Sequence, residues 1–296
     1  MLVYAGPDLR QVAGDVLLRA ILRSDLAPVP QTVEIMVRDD PDFRAQWAVG
    51  QIIAAGRDGA RFKIVKSGVD GEAGLIQDDR KLGAIAVTGL LESCAPIASP
   101  LQRAVIRQGA TLGGIYRACG ANVRIEQDFV VPRFCAFTGD VPSLSIPIAL
   151  QEEGAAMTYK AGRLSFRRLA DLSAQEPIAE LPDATDRSEQ SEFKEMLAVP
   201  FAFSAAPDGS IIFGRRESGR AAFYSPRTDQ RVLNNLSAVL IRRRKLRAEF
   251  SGDIMAGDCL KVAGKSLIVI TAAHVFDSTG TAPEQYSLYW LGEYVR

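Results

Sequence analysis

Between Gln108 and Phe166 one short phrase is written twice, and a helix, a glycine stop and a strand in immediate succession leave a chain few ways to fold. In the first copy Thr111 stands where a helix wants a capping hydroxyl. Leu112, Ile115 and Cys119 then fall on one helical face. Gly120 occupies the position where a helix ends in the left-handed conformation. Val123 and Ile125 alternate with Asn122, Arg124 and Glu126, the pattern of a half-buried strand. The second copy runs from Ile146 to Tyr159, with Leu150 toward the core, Gly154 as the stop, and Ala155, Met157 and Tyr159 alternating beyond it. Ala161-Gly162 then turns the chain into Leu164-Ser165-Phe166 as a hairpin partner. The spacing predicts two helix–strand units packed as one small α/β module.

These residues resemble a known family. Gly109, Thr111, Leu112, Ile115 and Gly120 match a Gly-x-Thr-Leu-x-x-Ile phrase closed by a glycine. Glu152, Glu153, Gly154 and the segment from Gly162 to Phe166 match a second short helix, its acidic end and a hairpin. The succession is similar to the phage late-control D and baseplate tail-hub family, related in fold to the type VI secretion spike protein. The chain departs from it at Pro147, which is tolerated only in a first helical turn, so the second helix is expected to start near Ser145.

Strand signals surround the module. Val16–Leu22, Thr32–Val37, Trp47–Ala54, Arg61–Val65 and Ala84–Leu90 are apolar or alternating, with Gly-rich turns at 56–59 and 68–74. Many short strands with few helices predict a small barrel over residues 1–98. The small module occupies 99–171. Residues 173–192, rich in Ala, Glu, Asp, Ser and Pro, read as a linker. Asp208-Gly209 is a hairpin turn, Thr228 caps a helix carrying Val232 and Leu236, and strands follow to the C-terminus. The phrase Met255-Ala256-Gly257-Asp258-Cys259-Leu260-Lys261-Val262 also resembles the end of hub proteins, where it belongs to a second barrel. The expected fold is therefore mainly β with a small α/β insert: a barrel at 1–98, the module at 99–171, and a linker plus a second, similar barrel at 172–296.

Composition narrows the function. Thirty-five basic residues balance thirty-five acidic ones, so no global field draws the chain to nucleic acid or an anionic membrane. The N-terminus lacks a signal-peptide pattern and no apolar run approaches a membrane span, so synthesis in the host cytoplasm and no stable membrane binding are expected. Cys94, Cys119, Cys135 and Cys259 have no metal-ligand spacing and read as small hydrophobes.

The motifs that spell chemistry are incomplete. Thr271-Ala272-Ala273-His274 spells the histidine signature of chymotrypsin-like proteases, whose aspartate and serine lie downstream. Only 22 residues follow the sole histidine, and no Gly-x-Ser-x-Gly elbow precedes it. His274 is expected on or just after a strand, with no Ser, Cys or Thr nucleophile held against it by a third orienting group. The glycines at 109–114 lack the Lys-Ser/Thr of a phosphate loop. Glu152 and Glu153, adjacent on a helix, point about 100° apart and cannot act as a glycosidase pair. Asp70, Glu72, Asp78 and Asp79 match no calcium loop. The run from Arg242 to Arg247 reads as a strand whose arginines pair with carboxylates of a neighbouring subunit.

No catalytic, cofactor or metal site is expected. The resemblance implies a structural hub of a phage tail baseplate, in which three copies with two barrels each form a pseudo-sixfold ring. Its expected partners are the tail tube or distal tail proteins, the central spike and the tape-measure protein, with DNA passing only in transit. The alternatives are a tail-associated hydrolase or peptidoglycan-cleaving enzyme, and a stand-alone binding module.

Overall fold

A computed structural model of the chain describes residues 1–70, 76–77, 80–81, 83–182, 185–188, 199–216 and 219–296. The first run of strands is β1 (Val3–Ala5), β2 (Arg10–Gln11), β3 (Leu17–Asp25), β4 (Gln31–Arg38), β5 (Ile52–Ala55), β6 (Ala60–Asp70), the short pair β7 (Ile76–Gln77) and β8 (Arg80–Lys81), and β9 (Ala84–Leu91). Alternation sets their faces: Val33, Ile35 and Val37 of β4 are buried while Glu34 between them is exposed. Two expectations shift. Trp47 ends a 3-10 turn, Arg44–Trp47, rather than opening a strand. Gly68 lies within β6, opposite Ala86, instead of in a turn; residues 71–74 fall outside the described residues.

The small module contains β10 (Val105–Thr111), α1 (Leu112–Ala118), β11 (Arg124–Gln127), β12 (Val130–Ala136), α2 (Pro142–Glu152), β13 (Ala155–Lys160), β14 (Arg163–Arg168) and α3 (Leu169–Ser173). The Thr111 hydroxyl accepts the Gly114 N–H at 3.1 Å, as a cap should. Gly120 and Gly154, the two stops, have φ of 95° and 57°. The strands that follow them flank the hairpin partner in the order β11-β14-β13. The second helix is longer than expected, because Pro142 at its first turn starts it and Pro147 lies inside it. Pro147 faces solvent. Leu112, Ile115, Ile146 and Met157 share one core with Val33, Ile35 and Phe62 of the first run.

The second run is β15 (Ala179–Leu181), β16 (Thr185–Ser188), β17 (Phe201–Ala205), β18 (Ile211–Phe213), β19 (Ala222–Tyr224), α4 (Gln230–Asn235), β20 (Val239–Glu249), β21 (Cys259–Val262), β22 (Lys265–Asp277) and β23 (Glu284–Val295). The segment read as a linker thus supplies two strands, β15 on β21 and β16 on β20. Their shortness hid them from any periodicity. Asp229, not Thr228, caps α4, accepting the Arg231 N–H at 2.8 Å.

The two runs repeat one strand plan. The first reads β6-β9-β4-β3 across the sheet and the second β22-β23-β20-β16, and the chain visits corresponding strands in the same order. A hairpin partner precedes each long strand. Ile52↔Lys63 to Ala55↔Ala60 corresponds to Cys259↔Ile268 to Val262↔Lys265. Each long strand then bulges against its neighbour, between Ile64 and Lys66 and between Val269 and Thr271. Even the entry turn recurs. Gly50 and Gly257 both have φ of 94°. Each donates its N–H at 2.8 Å to the residue before the bulge, Ile64 or Val269. The Met255–Val262 phrase therefore has a counterpart at Ala48–Ala55.

The expected closed barrels do not form. Both runs join a single 13-stranded sheet with β16 at one end of its path and β2 at the other. The join is β3 against β22, antiparallel from Asp25↔Thr271 to Arg19↔Asp277. An unpaired edge can be hidden by closure or by a neighbour. Here the edge of the first run is completed by the second.

Candidate functional site

The seam between the runs is deeply enclosed. Ala272, Ala273, His274 and Val275 of β22 are 0–2% exposed, so the strand is buried on both faces. His274 sits mid-seam, opposite Leu22. Its Nε2 lies 3.1 Å from the Ile254 carbonyl, which can only accept, so Nε2 carries the proton. Nδ1 then accepts from the Ser287 hydroxyl at 2.9 Å. Ser287 Oγ in turn accepts the Ser251 N–H at 3.0 Å. Burial holds the imidazole below its ordinary range, so the neutral form is favoured.

A serine hydroxyl faces His274, because β22 and β23 pair His274 with Ser287 directly. The arrangement still lacks what nucleophilic catalysis needs. The second ring nitrogen meets a backbone carbonyl rather than a carboxylate. His274 and Ser287 are 1% and 0% exposed, and Phe250 and Tyr289 pack edge-on against the ring. No acyl group can reach that hydroxyl without opening the core.

The loop that meets His274, residues 250–258, ties β3, the small module and the segment at Gln175 together. Ala256 N–H donates to Ser24 Oγ of β3 at 3.1 Å. The Gly257 carbonyl accepts Gln175 Nε2 at 2.7 Å. Asp258 accepts Lys160 Nζ of the small module at 2.8 Å and the Met255 N–H at 2.9 Å. Gly257 is irreplaceable on two counts. Its φ is left-handed, and a Cβ there would lie 2.1 Å from Thr158 Cγ2.

A second joint holds α4 against the small module. Glu153, 3% exposed at the end of α2, receives Arg231 on both oxygens at 2.6 and 2.9 Å and Arg168 at 2.7 Å. Burial opposes its ionisation, yet the two guanidiniums hold its carboxyl below the usual range. Glu152 takes Arg227 at 2.6 Å, and its carbonyl accepts Asn235 Nδ2 at 3.1 Å. The two glutamates diverge, as adjacent residues at a helix end do, and serve different arginines, Glu152 one and Glu153 two.

The basic run lies on β20, and two of its arginines find carboxylates within this chain. Arg243 pairs with Glu293 at 2.8 Å and Arg247 with Glu284 at 2.7 Å, both on β23. Lys245 and Arg247 stand over Trp290 and Tyr286. For these two arginines the carboxylate comes from the adjacent strand of the same chain rather than from a neighbouring subunit. A bulge between Arg242 and Arg244 lets Ile241 and Leu246, five apart, share a face.

Among the described residues no group of His, Cys, Asp or Glu could hold a metal ion, and no helix is long and apolar enough to cross a membrane. Of the acidic stretch, Glu72, Asp78 and Asp79 lie outside those residues. Cys94, Cys119 and Cys259 are buried, Cys135 partly so, and all four are free thiols. Burial raises Cys94 to about 12 and Cys119 to about 11, which keeps them unreactive. Sequence reasoning missed the seam, β10 and β12, and an aromatic face on β17–β19, where Phe203 packs against Phe213 and Tyr224.

No protein-family model matches the chain, and no curated protein matches it in sequence. Its fold does have relatives among solved structures. A tail protein from Neisseria meningitidis MC58 aligns over 99% of this chain and 96% of its own, with TM-score 0.66 and 9% identity. The 43 kDa tail protein of prophage MuSo2 from Shewanella oneidensis covers 98% and 96%, with TM-score 0.63 and 11% identity. An E. coli type VI secretion component, described as structurally similar to the T4 tail proteins gp27 and gp5, aligns over 99% of this chain and 77% of its own (TM-score 0.56, 9% identity). At such identities the likeness is one of fold, and the fold of this chain is that of phage tail proteins.

Proposed function

We propose that this chain is the structural hub of a phage tail baseplate. Three copies close a ring, each supplying two like sheet units, so that six units surround the axis. The ring joins the tail tube, or distal tail proteins, to the central spike. The tape-measure protein is a further partner, and DNA crosses the lumen only in transit. The protein then resides in the virion tail after synthesis in the host cytoplasm. In this reading residues 1–98 and 172–296 are the two sheet-bearing divisions, and 99–171 is the module that braces them.

The observation that carries the proposal is the head-to-tail repeat. β22 runs antiparallel to β3, and three antiparallel steps separate β3 from β6. β22 and β6 therefore point the same way. Two units related so follow one another around an axis, whereas a face-to-face pair would place them about a two-fold. A sixfold tube and a threefold spike need a part that has both symmetries, and two such units in each of three chains provide it. The hydrolase alternative has no comparable support, since the one Ser–His pair is sealed.

Native mass measurement of the purified chain, followed by electron microscopy of the assembled species, tests this. The expected species has three copies and a ring with six similar lobes. A monomer at every concentration, or a ring of another order, would overturn the proposal.

A further inference from the structure

The small sheet β18-β17-β19 carries apolar residues on both of its faces. On one face Ala202 is buried and packs, with Ile212, against Val232 and Leu233 of α4. On the other, the register gathers Phe201, Phe203, Phe213 and Tyr224. Phe203 lies opposite Phe213 on β18 and opposite Tyr224 on β19, and Phe201 lies beside Ala222. The rings touch, with centroids 5.7 Å apart for Phe203–Tyr224 and 6.3 Å apart for Phe203–Phe213 and Phe201–Phe213. A sheet with one wet face places polar residues on it. Here that face is aromatic and open: Tyr224 is 56% exposed, Phe213 39%, and Ile211, opposite Ala205, 58%. A contiguous apolar surface of this kind marks an interaction site.

The rim of the face is basic. Residues 199–236 hold five arginines against Asp208, Glu217 and Asp229. Asp208 accepts from Ser210 in its own turn, and Asp229 caps α4. Arg227 and Arg231 are engaged by the glutamates of α2. Arg216 is different. It is exposed, stands over the Phe213 ring at 5.3 Å from the centroid, and has no carboxylate in ion-pair reach among the described residues.

We propose that this aromatic face docks an amphipathic helix of a different tail protein, one whose apolar stripe is flanked by acidic residues. The inference goes beyond the hub reading and does not need the ring. Three strands span about 10 Å, and the five residues of β17 about 17 Å. That is the footprint of a single helix, about 10 Å wide, over about three turns. β18 and β19 have three residues each, too few to hold an added strand by its backbone, so the contact is with the face rather than an edge. Aromatic rings beside an arginine are the side chains that carry most binding energy at protein interfaces.

The charge of the rim decides against a second copy. The other apolar surfaces of this chain do not complement it. Leu144 and Ile148 are exposed on α2, where residues 142–151 carry no charge, and Val65 on β6 is flanked by Lys63 and Lys66.

The test uses the full chain and two labelled synthetic helices of about four turns. Both carry a leucine stripe; one is flanked by glutamates and the other by lysines. Fluorescence anisotropy should show the glutamate helix binding at least about tenfold tighter than the lysine helix. Tyr224→Ala, which leaves the other three rings in place, should weaken it about fivefold or more. Arg216→Glu should abolish the preference for the glutamate helix. No binding of that helix, equal binding of the two, or tighter binding of a labelled single-stranded oligothymidine would overturn the proposal. So would loss of three-copy assembly in Tyr224→Ala by native mass, since a second copy would then be the occupant. A chain that binds the glutamate helix in this way and never forms three copies would sink the hub reading alone.

Discussion

The two sheet units are built on one plan and live in opposite surroundings. Gly50 and Gly257 enter their strands with the same φ and the same hydrogen bond. Around Gly50 an added Cβ would meet nothing within 4 Å, while around Gly257 it would strike Thr158. Val69 is exposed, while its counterpart His274 is buried at the seam. Strand order, hairpin register and bulge position thus belong to the unit, whereas burial and side-chain chemistry belong to its place in the molecule. A repeat of this kind leaves only the glycine in common between the two phrases, because a buried turn and an open one select different residues around it.

The largest expected difference between the units comes from Gly→Val at the two turns. Gly257→Val adds both left-handed strain and a clash with the Thr158 side chain, and should cost about 3 kcal/mol or more. Gly50→Val adds strain alone and should cost roughly 1–2 kcal/mol. Denaturant unfolding of the two variants measures the gap. Equal losses would mean that the Gly257 loop is not the tie that its contacts describe.

The α4 joint comes next. Glu153→Gln leaves Arg168 and Arg231 facing a neutral amide, and both guanidiniums keep solvent contact, so the loss should be about 2 kcal/mol rather than that of a fully buried pair. Glu152→Gln, whose partner Arg227 is likewise accessible, should lose under about 1 kcal/mol. If the order is reversed, Glu153 is not the centre of the joint.

Acid separates the units again. His274 has a folded pKa below its unfolded one, so the unfolded chain binds the proton first. The contribution is fully present above the unfolded value, about 6.5, and is lost as pH falls below it, by at most about 1.4 kcal/mol per pH unit. His274→Gln should flatten stability between pH 6.5 and 5.5. An unchanged slope in the variant would assign the acid response to other groups.

Legibility in the sequence followed the same division. The small module was readable because its signals are local: Thr111 caps, Gly120 and Gly154 stop, and Ala161-Gly162 turns, each within a few residues of what it controls. The Met255–Val262 phrase was readable, but its echo at Ala48–Ala55 was not, since only the glycine is common to the turn in both. Closed barrels were expected because alternating strands say which face is buried and nothing about which edge meets which. The β3–β22 seam joins residues some 250 positions apart, and no local pattern encodes that pairing. The Ser287 contact to His274 was hidden for the same reason, being a cross-strand pair. Pro147 misled because Pro142, five residues earlier, had already begun the helix.

The central claim is that the edge of the second unit is closed within the chain by β3, whereas that of the first, at β6, is closed only in the ring proposed above. Hydrogen exchange of the peptide covering residues 65–70, measured in the isolated chain and in the assembled ring, tests it most directly. The predicted result is fast exchange in the isolated chain and strong protection on assembly, approaching that of residues 271–277, which should be protected in both states. Fast exchange of 65–70 in a ring of three copies would contradict the account.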